Sequence, residues 1–236
     1  MKKQQLIFVL SILTVCALVS CGGGNGTSSG VSKRSLFGNI PGYFETEYIG
    51  MITELNEAVK ADGKEEAEAA LKKLEGFSDE VKKGMQPMAD KIVGNKVAYS
   101  LSDSLPYQIV SDIEIEKVSL PAFALGVRNA ISVKLSTSFD AVVSQPANNL
   151  QLYYFIMDDD KPIYYGSTQS YNASAAGDTL HVKEIIISPD APAKYIKGCN
   201  SLLFVTESRY EAEKKAMDEQ LKVWSEERKK ELGIEE

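Results

Sequence analysis

Between Lys96 and Thr206 the apolar residues of this chain recur at every second position, and a period of two limits the segment to β-strands. Ile131, Val133, Leu135, Thr137 and Phe139 alternate with Ser132, Lys134, Ser136 and Ser138, describing a strand with one buried face and one wet face. Similar runs predict strands near 97–101, 107–118, 130–139, 150–157, 162–168, 179–188 and 200–206, with Asp158-Asp159-Asp160-Lys161 as a hairpin loop. Short strands separated by turn signals fit an immunoglobulin-like antiparallel β-sandwich better than an α/β sheet, although the Cys, Trp and Cys spacing of an antibody-type domain is missing.

Leu150 to Met157 is apolar on both faces, so something must cover its second face. Glu207 to about Leu232 reads as a charged amphipathic helix with Tyr210, Met217, Leu221 and Trp224 on one stripe. That stripe either covers the strand or packs on the helices at the other end of the chain. Those helices are predicted from Pro41 to about Gly94. Ile52, Leu55 and Val59 mark the first, broken at Ala61-Asp62-Gly63. Ala67, Ala70, Leu71 and Leu74 mark a second, ended by Gly76. A third, carrying Val81, Met85, Met88 and Ile92, is expected to begin at Ser78 and to kink or break at Pro87. The expected fold is therefore α+β, with a helical region at 37–95, a sandwich at 96–206 and a C-terminal helix at 207–236.

The first residues carry an address. Lys2 and Lys3 precede an apolar run from Leu6 to Leu18, broken by Ser11 and Thr14, which is too short to span a bilayer core needing roughly 20 helical residues. The next residues, Leu18-Val19-Ser20-Cys21, match all four positions of a lipobox, and here the chain resembles the bacterial lipoproteins. The resemblance covers about 24 residues, on the scale of an ordinary signal segment. It implies cleavage of residues 1–20, a diacylglycerol on the Cys21 thiol, acylation of the new amino group and stable anchoring by more than one acyl chain. Gly22 in place of Asp after Cys21 points, by enteric-type sorting, to the outer membrane. Gly22 to about Ser35 has too little apolar surface to fold and reads as part of a flexible tether over residues 21–36.

Removing Lys2 and Lys3 from a net charge of −7 leaves −9 on the mature chain, which argues against nucleic acid as a partner. Of three cysteines, Cys16 leaves with the signal and Cys21 is lipidated. Cys199 remains alone, so stability must come from a core without an intramolecular disulfide.

Catalytic signatures are scarce. His181 is the only histidine, no Gly-x-Ser-x-Gly elbow is present, and a zinc site built on His181 and Cys199 would lack ligand spacing. Cys199 paired with His181 is a nucleophile in principle, but it reads more simply as a small core residue. Carboxylate pairs for glycoside hydrolysis cannot be singled out among 33 acidic residues. Asp158, Asp159 and Asp160 lack calcium-loop spacing and read as a solvated hairpin tip. Tyr153, Tyr164, Tyr165 and Tyr171 are the candidate binding residues, because aromatic platforms hold sugar rings; buried strand tyrosines are the plainer alternative. The expectation is a monomeric, membrane-anchored envelope lipoprotein without cofactor or metal. It would bind a glycan, peptide or partner protein; the alternative is an envelope hydrolase whose site forms no motif.

Overall fold

The computed structural model describes residues 34–60, 64–121, 132–172 and 175–231. The signal segment, Cys21 and most of the tether lie outside these residues, as does Ile131 of the alternating strand. The side chains of Leu55, Val59, Ala67, Ala70, Leu71, Leu74 and Ser78 also lie outside the description.

Two helices, α1 (Ile40–Lys60) and α2 (Lys64–Asp90), precede eight strands. These are β1 (Lys96–Leu101), β2 (Tyr107–Ile109), β3 (Ile113–Ser119), β4 (Lys134–Val143), β5 (Tyr153–Asp158), β6 (Lys161–Ser167), β7 (Thr179–Ile187) and β8 (Ser201–Val205). A short helix α3 (Ala193–Ile196) leads into β8, and α4 (Glu207–Glu231) closes the described chain. The architecture is α+β: helices with one mixed eight-stranded sheet among the described residues.

The sheet has two halves that share β1. Lys96 and Val97 pair antiparallel with β3, after which Ala98 to Leu101 pair parallel with β8. One half runs β1-β3-β4-β7, with β2 continuing along the β3 side of β4; the other runs β1-β8-β5-β6. Their inner faces meet around Phe204 of β8. Its ring lies 5.8 Å from Phe139 of β4, 5.8 Å from Tyr154 of β5 and 6.5 Å from Tyr107 of β2. The strict alternation of buried and half-buried residues along β4 is what a strand between a core and solvent requires.

The double-sided apolar strand finds its cover. Tyr154 and Ile156 of β5 enter the main core, while Phe155 and Met157 pack with Tyr210 and Met217 of α4. Further along α4, Trp224 stacks on Tyr195 at 4.7 Å, and buried Arg228 donates to the Ala191 carbonyl at 3.0 Å. The same helix thus covers β5 and then reaches the α1 side, where Glu45 accepts from the Ala193 N–H at 3.0 Å.

Two local expectations are corrected. Residues 107–118 form two strands, because the chain leaves the ladder at Val110–Asp112 and the Ser111 hydroxyl accepts from the Asp140 N–H at 2.7 Å. Both pieces still run along β4. The second and third helices are one: α2 passes through Gly76, Ser78 and Pro87. Pro87 sits on the exposed side of the last turn, where the Lys83 carbonyl that loses its donor meets water. Val81, Met85, Ala89 and Ile92 bury the opposite side in the core, and that packing outweighs a glycine's local cost. Gly84 has its own reason: a Cβ there would overlap Tyr43 of α1.

Candidate functional site

The candidate tyrosines separate into different roles. Tyr153 and Tyr165 close on Tyr210 of α4, with ring centroids 4.8 and 5.5 Å away. Tyr165 donates to Asp218 and lies under the Lys214 ammonium at 5.7 Å, so its ring fastens the helix to β6. Burial and the neighbouring Asp218 push its phenol above the usual range. Tyr164, 5.3 Å from Tyr165, lines a groove of about 430 Å³ with Asp190, Lys215, Asp218, Leu221 and Lys222. Tyr171 lies apart from these, bridged to Leu150 at the end of the β4–β5 connection.

His181 and Cys199 are engaged with different partners. His181 Nδ1 meets Asp140 Oδ1 at 2.6 Å on the exposed face of β7 and β4. Cys199 is fully buried between α3 and β8, and its carbonyl accepts from the Leu36 N–H at 2.7 Å. Burial, with Asp158 nearby, pushes its thiol up to about 12, so the nucleophilic thiolate is scarce at neutral pH. Asp159, at φ 50°, forms the tight β5–β6 turn and accepts from the Asn200 amide at 3.0 Å. No group of three potential metal-binding side chains occurs among the described residues.

A half-buried pair links the sheet halves. The Tyr154 hydroxyl donates to Glu184 Oε1 at 3.0 Å, reaching from β5 to the inward face of β7. Burial raises the Glu184 carboxyl to about 7, against the lowering effect of the bonds from Tyr154 and the Ile185 N–H. Gly166 of β6 makes room for this link, since a Cβ there would overlap the Tyr154 hydroxyl.

A further groove lies at one end of the sheet, where the β1–β2 turn, the β4–β5 connection and the start of α4 converge. It encloses about 240 Å³. Leu105, Pro106, Ala147, Leu150 and Val205 supply apolar wall, and Tyr107, Asn148, Asn149, Gln151, Tyr153 and Glu207 supply polar groups. The walls are tied at their base by the Ser144 and Gln145 N–H groups, which donate to the Pro106 carbonyl at 2.8 and 3.3 Å. Gln151 is spent within the protein: its amide donates to Ser167 and Thr168 and its carbonyl accepts from Tyr153. The Tyr153 hydroxyl also lies 3.1 Å from Glu207 Oε1. Asn148 and Asn149 are exposed and make no side-chain hydrogen bond among the described residues. Buried Tyr107 has no partner for its hydroxyl among the described residues. In the sequence Asn148-Asn149 fall between the strands predicted near 130–139 and 150–157, and Tyr107 falls within the one near 107–118, so their convergence was not readable there.

Comparison with protein-family models, with curated proteins and with solved structures finds no match. No described helix is long and apolar enough to cross a membrane.

Proposed function

We propose that this chain is a lipid-anchored envelope protein, held at the outer membrane through Cys21, that works as a non-enzymatic binding module. The anchor rests on the lipobox Leu18-Val19-Ser20-Cys21. The binding reading is carried by one contrast. The two candidate reactive side chains are occupied, Cys199 as a buried protonated thiol and His181 in a surface pair. The sandwich end, by comparison, offers free carboxamides around a groove.

The sandwich serves this role as an immunoglobulin-like module in its layering and in the parallel β1–β8 closure, with a strand order of its own. An antibody-type domain sends its third strand to the opposite sheet, whereas here β4 stays beside β3. Loops at the end of such a sandwich are held by two sheets while their tips remain free to vary, which suits recognition. The C-terminal helix acts as an amphipathic brace over β5, and its stripe is used within the chain, in keeping with a monomer.

The test combines retention and turnover. The chain is incubated with envelope polysaccharides and peptides, and bound material and supernatant are compared by mass spectrometry. Saturable retention without new products is expected. Product release abolished by Cys199→Ala or Glu184→Gln would replace this reading with a hydrolase. Metabolic labelling with an alkynyl palmitate should mark the wild type and not Cys21→Ala, and protease shaving of intact cells distinguishes a surface from a periplasmic position.

A further inference from the structure

Two tripeptides of the same kind stand at one end of the molecule. Asp103-Ser104-Leu105 and Asp178-Thr179-Leu180 each place a hydroxyl between a carboxylate and a leucine. Both resemble the acceptor pattern of some Gram-negative O-glycosylation systems, in which Asp precedes Ser or Thr and an aliphatic residue follows. The fold presents them alike. In each, the Asp and the hydroxyl residue are exposed while the leucine turns inward, Leu105 half-buried against the core and Leu180 buried in it. Neither hydroxyl makes a hydrogen bond among the described residues, whereas those of Ser111, Ser138, Ser144, Ser201 and Ser225 are all engaged. Ser104 projects from the β1–β2 turn at φ 66°, and Thr179 opens β7.

The end of β4 joins the two tripeptides. Its Val143 N–H donates to the Asp178 carbonyl at 2.9 Å, and the Ser144 and Gln145 N–H groups donate to the carbonyl of Pro106, next to Leu105. This end is remote from the anchor. The described chain enters the body at Leu36, whose N–H donates to the Cys199 carbonyl just before β8 begins. Because β1 and β8 run parallel, Ser104 lies beyond the far end of that pair, about 20 Å away along a six-residue strand.

The surroundings select among the groups a free hydroxyl can receive. A phosphate would set a dianion against Asp103 or Asp178, and an acyl chain would expose hydrocarbon to water far from the bilayer. A neutral sugar meets neither cost. We infer that Ser104 and Thr179 are O-glycosylated, with an oligosaccharide carried on a polyprenyl diphosphate as the donor. In the transfer the hydroxyl oxygen attacks the anomeric carbon, and the new glycosidic bond forms as the bond from that carbon to the diphosphate oxygen breaks. The bonding pair leaves with the diphosphate, and the hydroxyl proton passes to a base of the transferase. The inference rests on the envelope reading above, because export brings the chain to the membrane face where such donors are held.

The experiment is intact-mass spectrometry of the full chain, produced with its signal segment in its native host and purified from membranes, against a form without the signal that stays in the cytoplasm. The membrane form should exceed the mass of the lipidated chain by two oligosaccharides, and the cytoplasmic form should carry none. Ser104→Gly suits the left-handed turn and Thr179→Val keeps a β-branched strand residue, so neither disturbs the backbone. Each should lose one oligosaccharide, and the double variant both. Ser170→Ala, at an exposed serine preceded by Gln169, should lose none. Alkaline β-elimination with peptide mapping should convert Ser104 and Thr179 to their dehydrated forms. A lipidated chain at its unmodified mass overturns the inference and leaves the envelope reading standing, and sugar mapped only to asparagine or to other hydroxyls overturns it as well. A chain that keeps its signal and takes up no alkynyl palmitate overturns the envelope reading, and the inference with it.

Discussion

Replacing Glu184 by Gln should make this protein more stable at pH 8 and leave it nearly unchanged at pH 4. The Glu184 carboxyl lies on the inward face of β7, where burial raises it from 4.5 to about 7. In the unfolded chain it returns to its ordinary value. Between the two values the folded chain retains a proton that the unfolded chain has released, so the contribution of Glu184 to stability is greatest below about pH 4.5 and falls as pH rises towards about 7. A separation of that size corresponds to roughly 3 kcal/mol if the group were fully shielded. Glu184 is only half-buried, so solvent screening reduces the expected effect to about 1–2 kcal/mol. For a chain of this length that is a shift of roughly 2–8 °C in Tm. Glutamine retains an oxygen to accept from Tyr154 and has no charge to desolvate. Trp224 is the only tryptophan and stacks on Tyr195, so its fluorescence reports unfolding directly. Urea titrations at pH 4, 6 and 8 should show the wild type losing midpoint relative to Glu184→Gln as pH rises. Burial also raises Glu45, which tilts both curves the same way, so the difference between the two proteins is the quantity that decides. Parallel curves from pH 4 to 8 would refute the reasoning.

Cys199, buried and raised to about 12, should resist iodoacetamide at pH 8 in the native protein and react only when urea unfolds it; fast native alkylation would contradict its placement. Trp224→Ala removes a buried, stacked ring and should cost about 3–5 kcal/mol in chemical denaturation, while light scattering still reports a monomer; a stable variant would mean that the distal half of α4 is not docked. Calcium should not shift the melt, because Asp159 is occupied with Asn200 in a two-residue turn; a rise of several degrees abolished by Asp159→Ala would overturn that view.

The parts of the fold that depend on residues close in sequence were readable, and those that depend on which surfaces meet were not. The alternation along residues 133–139 announced β4, and the double-sided run at 150–157 announced that β5 needed a cover, because each pattern reports a residue's own burial. Gly76 and Ser78 misled, since local end signals weigh about 1 kcal/mol each, less than the burial of Val81, Met85 and Ala89 against the core. The tyrosines show the same limit at the candidate site. Tyr153, Tyr164 and Tyr165 were visible as a cluster, yet nothing local to them reveals that Tyr210, 45 residues beyond Tyr165, takes two of the rings into the helix interface. Tyr107, Asn149 and Glu207 span 100 positions and share one groove only because β8 lies between β1 and β5, a pairing with no short-range signature.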